Sequence, residues 1–311
     1  MRQPVVVVVV LLALSASCVA TSHPAQPSGL GTARTTTELL KVLDELGPVS
    51  VETVASARWT VRLRGLLNLD HEKAKAAGFV DDDEAVLVTF HALRHPTRGL
   101  FLIDTGVERA LRSSPERAAT QGLIVDAMKL RSMKIDHDLG TFLAEQPAPV
   151  AGVLFTHLHF DHTMGLPDVP RGTPLYAGPG DTTETSVNNL VAAPNLDRAL
   201  AGHAPISEWA FPKKSAKTEA FDGVVDVFDD GSVWALWLPG HTPGTTAYLV
   251  RTPKGPVLFT GDVSHTRWGW DNDVEPGAFS GDVVGAAASF QRLRAFARAH
   301  PNIEVRVGHQ P

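Results

Sequence analysis

Residues Thr156–His162 read "THLHFDH", three histidines and an aspartate placed directly behind the apolar run "AGVLF" (Ala151–Phe155). A short apolar run that stops at a polar cluster reads as a buried strand, with the polar residues on the loop that leaves the sheet. On extended backbone His157 and His159 are two apart and point to one side, so one metal ion can take both. Asp161 and His162 are adjacent and diverge, which suits a neighbouring ion. A site built from imidazole and carboxylate usually needs about four donors per ion, so further ligands must come from other loops. The chain offers them at three more strand ends: His241 in "LPGHTPGT", Asp262 in "LFTGDVSHT" and His309 in "VRVGHQ". Each follows an apolar stretch and a glycine that lets the backbone turn sharply.

The rest of the chain narrows the setting. With 311 residues, 43% of them hydrophobic, it has material for a real core, and residues 38–311 read as one domain. A net charge of -6 without a basic stripe disfavours nucleic acid as a partner and leaves a small molecule as the expected one. Arg2, the apolar run Val5–Leu14 and small residues up to Ala20 have the order of an export signal, which predicts a periplasmic or membrane-anchored protein. Cys18 ends "LSASC", similar to a lipoprotein processing site except that Ser15 stands where leucine is usual. A lipidated Cys18 and an ordinary cleaved signal both remain open, and a lipid anchor is the only membrane contact expected. Residues 21–37, rich in Ser, Thr, Pro, Ala and Gly, read as a flexible tether. Cys18 is the only cysteine, so any metal site in the mature domain uses His and Asp.

Hydropathy predicts a helix over Glu38–Leu46, strands in "VSVETVASARWTVRLRGLL", "EAVLVTFHAL" and "GLFLIDTG", and helical structure across Leu123–Leu143. Short strands follow in "GVLFTH" and "TPLYAG", then an insertion of short helices and loops near 181–217 containing Pro194, Pro205 and Pro212. A second strand set comprises "VDVFDDGSVWALWLPG", "TTAYLV" and "GPVLFTG", followed by a helix over Ala286–Ala299 and a last strand "IEVRVGH". Two strand sets, each followed by helical segments, predict an α/β protein in which two sheets pack face to face under outer helices.

The motif "THLHFDHTMGL", followed in order by "GHTPGT", "TGD" and "GH", resembles the metallo-β-lactamase fold hydrolases, and "FLIDTG" is similar to that family's early strand. The resemblance spans Val49 to the C-terminus and implies a four-layer αββα sandwich of two mixed sheets. It implies that His157, His159 and His241 hold one divalent ion and Asp161, His162 and His309 a second. Asp262 would bridge the two, with Asp104 buried beneath them. Zinc is the occupant that the ligand type suggests, although iron, manganese and cobalt also suit such donors. Two ions about 3.5–4 Å apart can share a hydroxide as nucleophile, so no catalytic serine or cysteine is required.

Within the family, an aspartate at 262 argues against a β-lactamase, and a histidine at 159 argues against the flavin-linked di-iron members, which carry glutamate there. The resemblance favours a lactone or carboxylic ester as substrate, with phosphotriesters or aryl esters as the alternative. A non-catalytic metal-binding lipoprotein is disfavoured because no ligand is missing. His265, three residues after Asp262, stands where acyl-homoserine lactonases carry tyrosine. It reads either as a hydrogen-bond donor to the substrate oxygen, and so as a catalytic residue beside Asp262, or as a loop-packing histidine. Trp268, Trp270, Met128 and Met133 are candidates for an apolar pocket wall or for the core. His309 is followed only by Gln310 and Pro311, so a frayed end there is an expectation to test.

Overall fold

The computed structural model describes residues 19–185, 189–212, 220–221 and 223–310. The apolar run Val5–Leu14 and Cys18 lie outside the described residues. Strands are β1 (Ala25–Pro27), β2 (Thr32–Arg34), β3 (Ser50–Arg62), β4 (Asp83–His95), β5 (Gly99–Ile103), β6 (Lys134–Ile135) and β7 (Val150–Leu154). They continue as β8 (Leu175–Ala177), β9 (Ile206–Glu208), β10 (Gly223–Asp226), β11 (Val233–Trp237), β12 (Thr246–Thr252), β13 (Gly255–Phe259) and β14 (Glu304–Arg306). One sheet has the order β1-β9-β8-β7-β5-β4-β3-β6 and the other β14-β13-β12-β11-β10-β2. Both mix parallel and antiparallel pairs.

Strand side chains alternate between two apolar layers, which explains why several strands read as unbroken hydrophobic runs. In β12, Tyr248 and Val250 enter the layer between the sheets, while Ala247 and Leu249 face the outer helices. In β5, Phe101 and Ile103 point inward and Leu100 and Leu102 outward. Helices Thr36–Val42 and Val283–Ala299 cover the second sheet through Leu39, Phe290 and Leu293. Leu139 of helix Leu139–Ala144, with Leu196 and Leu200 of helix Asn189–Leu200, covers the first. The result is the αββα sandwich.

Three expectations need correction. Residues 21–37 are no free tether: β1 runs parallel to β9 and β2 antiparallel to β10, so the segment closes one edge of each sheet in turn. Edge strands carry unpaired backbone groups, and pairing even three residues satisfies them. Leu123–Leu143 is not one helical stretch. Helix Leu123–Ala127 stops before Lys129, which adopts left-handed backbone (φ 53°). β6 then pairs with Ala57 and Arg58 of β3, and a new helix starts at Asp138, whose carboxylate accepts from Thr141 N–H at 2.7 Å. The strand expected over Val49–Leu67 stops at Arg62, and "LRGL" forms the helix Leu63–Leu66, which buries Leu63 and Leu66. The insertion near 181–217 holds a helix, as expected, where it is described. Pro194 lies inside helix Asn189–Leu200, where burial of Leu196, Ala199 and Leu200 outweighs the poor propensity of proline.

Tyr248 ties the layers together: its hydroxyl donates to Phe155 C=O (2.9 Å) and accepts from Trp209 Nε1–H (3.0 Å), all buried between the sheets. Tyr248→Phe leaves the Trp209 N–H without its acceptor, and urea unfolding is expected to show a loss of about 1–3 kcal/mol.

Candidate metal centre

Parallel pairing of β5 with β7 and of β13 with β14 aligns their C-terminal ends, and β11 runs in the same sense as β13 across the antiparallel β12. The loops that leave these five ends meet on one rim of the sandwich. They carry Asp104, the 156–162 motif, His241, Asp262 and His309.

All seven expected metal-binding residues come together there. His241 Nε2 lies 3.1 Å from His157 Nε2 and 2.9 Å from His159 Nδ1. Beside them, His309 Nε2 lies 3.5 Å and His162 Nε2 3.8 Å from Asp161 Oδ2. Asp262 sits between the groups. Its Oδ1 is 3.3 Å from His309 Nε2 and 3.5 Å from His162 Nε2, while its Oδ2 is 3.4 Å from His241 Nε2 and 3.8 Å from His157 Nε2. The two triads, His157/His159/His241 and Asp161/His162/His309, each present donor atoms within 4.8 Å of one another.

Hydrogen bonds on the far side of the rings fix which nitrogens face the centre. His162 Nδ1–H donates to Asp104 Oδ2 (2.8 Å), and His309 Nδ1–H donates to Leu87 C=O (2.9 Å), so both Nε2 lone pairs point inward. Thr156 donates its hydroxyl to Asp104 Oδ2 (2.9 Å) and its N–H to Asp104 Oδ1 (2.8 Å), leaving the hydroxyl oxygen to accept from His157 Nδ1–H at 3.2 Å. Buried His162 Nε2 and Asp262 Oδ1 have no hydrogen-bond partner in the protein. With His162 neutral these are two acceptors turned toward one another, which is costly in a dry interior, and either a proton on Nε2 or a metal cation between them satisfies both. The donor set therefore fits a metal site.

Protein charges alone polarise the cluster. Burial, helped by the neighbouring histidines, drives His157 and His241 well below the ordinary imidazole value. Burial also opposes charge on His162 and His309, yet the surrounding carboxylates prevail. Asp262 with Asp104 and Asp161 raises His162 well above its usual range, and Asp262 with Asp161 raises His309 to about 9. Burial alone would raise Asp262, but His309, His265 and His162 hold it well below the usual carboxylate range.

His265 lies in the same cluster. Its Nε2 is 3.2 Å from Asp262 Oδ2, neither ring nitrogen makes a hydrogen bond, and the ring stacks on His309 at 5.8 Å and 7°. With His241 and Asp262 it forms a further donor group.

His309 and Gln310 are fastened on several sides. His309 N–H donates to His265 C=O and Leu87 N–H to His309 C=O, while the Gln310 side chain accepts from Arg267 N–H and donates to Glu84. The expectation of a frayed His309 does not hold.

A cavity of about 390 Å³ opens over the cluster. His159, Asp161, His241, Asp262, His265 and His309 form its polar part, and Trp59, Leu66, Met128, Leu196 and Phe279 are among its apolar walls. Of the four expected wall residues only Met128 lines it. Trp270 is in the core against Phe290, Trp268 packs edge-on to Phe79, and Met133 borders a separate groove. Trp59 was missed because strand alternation does not tell which face of β3 meets a cavity.

Asp181 was also missed. Its carboxylate accepts from Leu158 N–H (3.2 Å) and Gly244 N–H (2.6 Å), clamping the motif loop to the loop of His241. Burial pushes this carboxyl up to about 7 against those donors.

The fold, the rim of donors and the order of motifs define a class, and the sequence profile of the metallo-beta-lactamase superfamily matches residues 84–309. The chain belongs to that superfamily and is a hydrolase of the metallo-β-lactamase fold. Among relatives it is 30% identical to the N-acyl homoserine lactonase AttM of Agrobacterium fabrum over 239 residues, covering 74% of this chain and 84% of that protein. It is 26% identical to an N-acyl homoserine lactonase from a Bacillus species over 202 residues, 63% of this chain and 71% of that one. Among solved structures, a quorum-quenching N-acyl homoserine lactone lactonase superposes with a TM-score of 0.57 at 18% identity, covering 86% of this chain and 94% of its own. The dizinc quorum-quenching lactonase AidC, solved with a product, gives 0.52 at 14% identity, covering 91% and 92%.

Two outcomes follow for metal binding. Asp104→Asn leaves one acceptor oxygen for the three donors Thr156 N–H, Thr156 Oγ–H and His162 Nδ1–H and takes away the charge beneath the His162 ring, and is expected to weaken zinc binding roughly 10–100-fold in competition with a chelator. Metal must displace the protons that His162 and His309 keep above the ordinary imidazole range, so apparent affinity should rise with pH through the value of about 9 that His309 reaches, with proton release visible by calorimetry in buffers of different ionisation heat.

Proposed function

We propose that this protein is an exported hydrolase carrying two divalent ions, zinc by ligand type, that opens the ring of an N-acyl lactone. The observation that carries this reading is the juxtaposition of an apolar cavity with the seven-donor rim. Its size lies within the roughly 300–1,000 Å³ common for small-molecule sites, and its walls suit an acyl chain. The similarity to named N-acyl homoserine lactonases supports the same substrate class. Export rests on the N-terminal sequence pattern, and Cys18 is the residue that would carry a lipid anchor.

His157, His159 and His241 would hold one ion, Asp161, His162 and His309 the other, and Asp262 would present one oxygen to each. Such a pair, when bound, supplies activated water at neutral pH and polarises the scissile carbonyl. The protein supplies the rest. Trp59, Leu66 and Phe279 line the same cavity as the polar rim, and apolar walls of this kind lower the local polarity and strengthen electrostatic contacts. His265 borders the cavity with a free ring nitrogen and donates a hydrogen bond to the oxygen on which charge develops.

A second role for His265, as an additional ligand beside His241 and Asp262, is favoured by their closeness. One variant separates the two. His265→Ala with metal content retained and kcat lowered about 10²–10³-fold identifies the donor; loss of metal identifies the ligand.

In a pH-stat the zinc-loaded protein is expected to release acid from a long-chain N-acyl homoserine lactone, and Asp262→Ala to release none. A silent wild type with two metals bound would overturn the lactonase reading and direct the search to aryl esters and phosphotriesters.

A further inference from the structure

Ala20, at the end of the export-signal pattern, lines the substrate cavity, and the segment behind it, which sequence composition assigns to a tether, fastens it there. Ala20 is 7% exposed. It is held there from several sides. Ala20 N–H donates to Glu184 C=O (2.9 Å), and Val19 bridges to Thr185. Thr21 Oγ–H donates to Asp197, as do Ser22 N–H (2.8 Å) and Ser22 Oγ–H (2.7 Å). The ring of His23 bonds Ala204 C=O at 2.9 Å, and β1 continues the segment as a parallel edge strand on β9.

Asp197 lies on helix Asn189–Leu200, whose Ala192 and Leu196 line the same cavity. That helix is tied to the segment of Ile124, Ala127 and Met128 through Gln121 N–H to Asn195 Oδ1 (2.7 Å) and Arg198 Nε–H to Ala119 C=O (2.8 Å). Ala20, Ile124, Ala127, Met128, Ala192 and Leu196 thus line one cavity together, with Glu184 also in its lining. Their six side chains are apolar apart from the weakly accepting Met128 sulfur, so this part of the lining suits an apolar chain.

We propose that residues Val19–Pro27 form a strap, latched by Asp197, that completes this wall and sets the length of acyl chain the site accepts. The proposal rests on the acyl-lactone reading for its substrate and on a cut of the export signal before Cys18, which leaves Val19 and Ala20 in the mature chain. Asp197 is a positioning residue: it touches no substrate and acts by holding Ala20 in the wall. The small side chain at position 20 leaves space that a larger one would fill. Burying one methylene changes affinity roughly fourfold, so occluding two of them costs more than tenfold.

The test compares the zinc-loaded wild type with Ala20→Phe, Asp197→Ala and Asp197→Asn, using N-butanoyl and N-dodecanoyl homoserine lactone. Ala20→Phe is expected to lower the dodecanoyl-to-butanoyl ratio of kcat/KM by at least about tenfold. Asp197→Ala is expected to lower the same ratio through a higher KM for the dodecanoyl substrate, with its kcat retained. Asp197→Asn keeps one acceptor for Ser22 N–H and should fall between that variant and the wild type. Calorimetric binding of N-dodecanoyl-homoserine, the opened product, runs in parallel and needs no turnover. If the wild type hydrolyses neither lactone, the lactonase reading fails, and the strap is then judged on binding alone, which Ala20→Phe must weaken by at least about tenfold. Wild-type ratios and wild-type product binding in Ala20→Phe and Asp197→Ala, both folded by circular dichroism and thermal melting, would overturn the strap.

Discussion

A carboxylate buried between two groups of imidazoles is the constraint on which this rim depends. Asp262 is 3% exposed, and a charge so placed is tolerated only when cations or protonated rings surround it. The backbone is shaped to allow the placement. Gly261 adopts left-handed backbone (φ 50°) with its α-carbon against Thr156, where a Cβ would come within 2.6 Å of the threonine side chain. A Cβ on Gly308 would lie 2.5 Å from Asp262 Oδ1. The loops after β7, β13 and β14 therefore interlock at one carboxylate, and the spacing of the two donor groups follows from its two oxygens.

Beneath this layer Asp104 does for orientation what Asp262 does for charge. Its own backbone is left-handed (φ 57°), a conformation that costs a non-glycine residue on the order of 1 kcal/mol or more. The strain is offset by three hydrogen bonds, to Thr156 N–H, Thr156 Oγ–H and His162 Nδ1–H. Those bonds connect the end of β5 to the motif after β7 and settle the tautomer of His162. Through the Thr156 hydroxyl they reach His157 as well, so one carboxylate orients a ring in each donor group.

The donor residues were legible in the sequence because they are dense and because each of the remaining three follows an apolar strand and a glycine. The two-sheet architecture was legible for a related reason: strands such as β5 and β12 bury both faces and read as unbroken apolar runs. What was hidden depends on distance in the chain. Strands of three residues such as β1 and β2 carry no alternation, and their reason for existing is an open edge on β9 or β10 far along the sequence. The break at Lys129 lies in backbone geometry that an amphipathic pattern does not encode. Trp268 and Trp270 sit close to Asp262 in sequence but face the core, whereas Trp59 enters the cavity from a strand about two hundred residues earlier. Asp181 resembles any loop aspartate until Leu158 and Gly244 are brought to it.

The 181–184 turn links the two halves of the site. At one end Asp181 fastens Leu158, between His157 and His159, to Gly244, three residues past His241. At the other, Glu184 C=O accepts from Ala20 N–H in the strap. The loop of the donor motif and the apolar wall are therefore both bonded to one short piece of chain. Such a coupling separates the roles of residues by where they pull. A change at Asp197 loosens the wall while the Asp181 clamp remains, whereas a change at Asp181 releases Leu158 and so disturbs the donor rim. Burial pushes the Asp181 carboxyl toward neutrality near pH 7, yet both of its backbone donors bond a carboxylate more strongly than a neutral acid. The clamp is thus tighter on the alkaline side of that value, the side on which the donor rim also loses the protons that compete with metal.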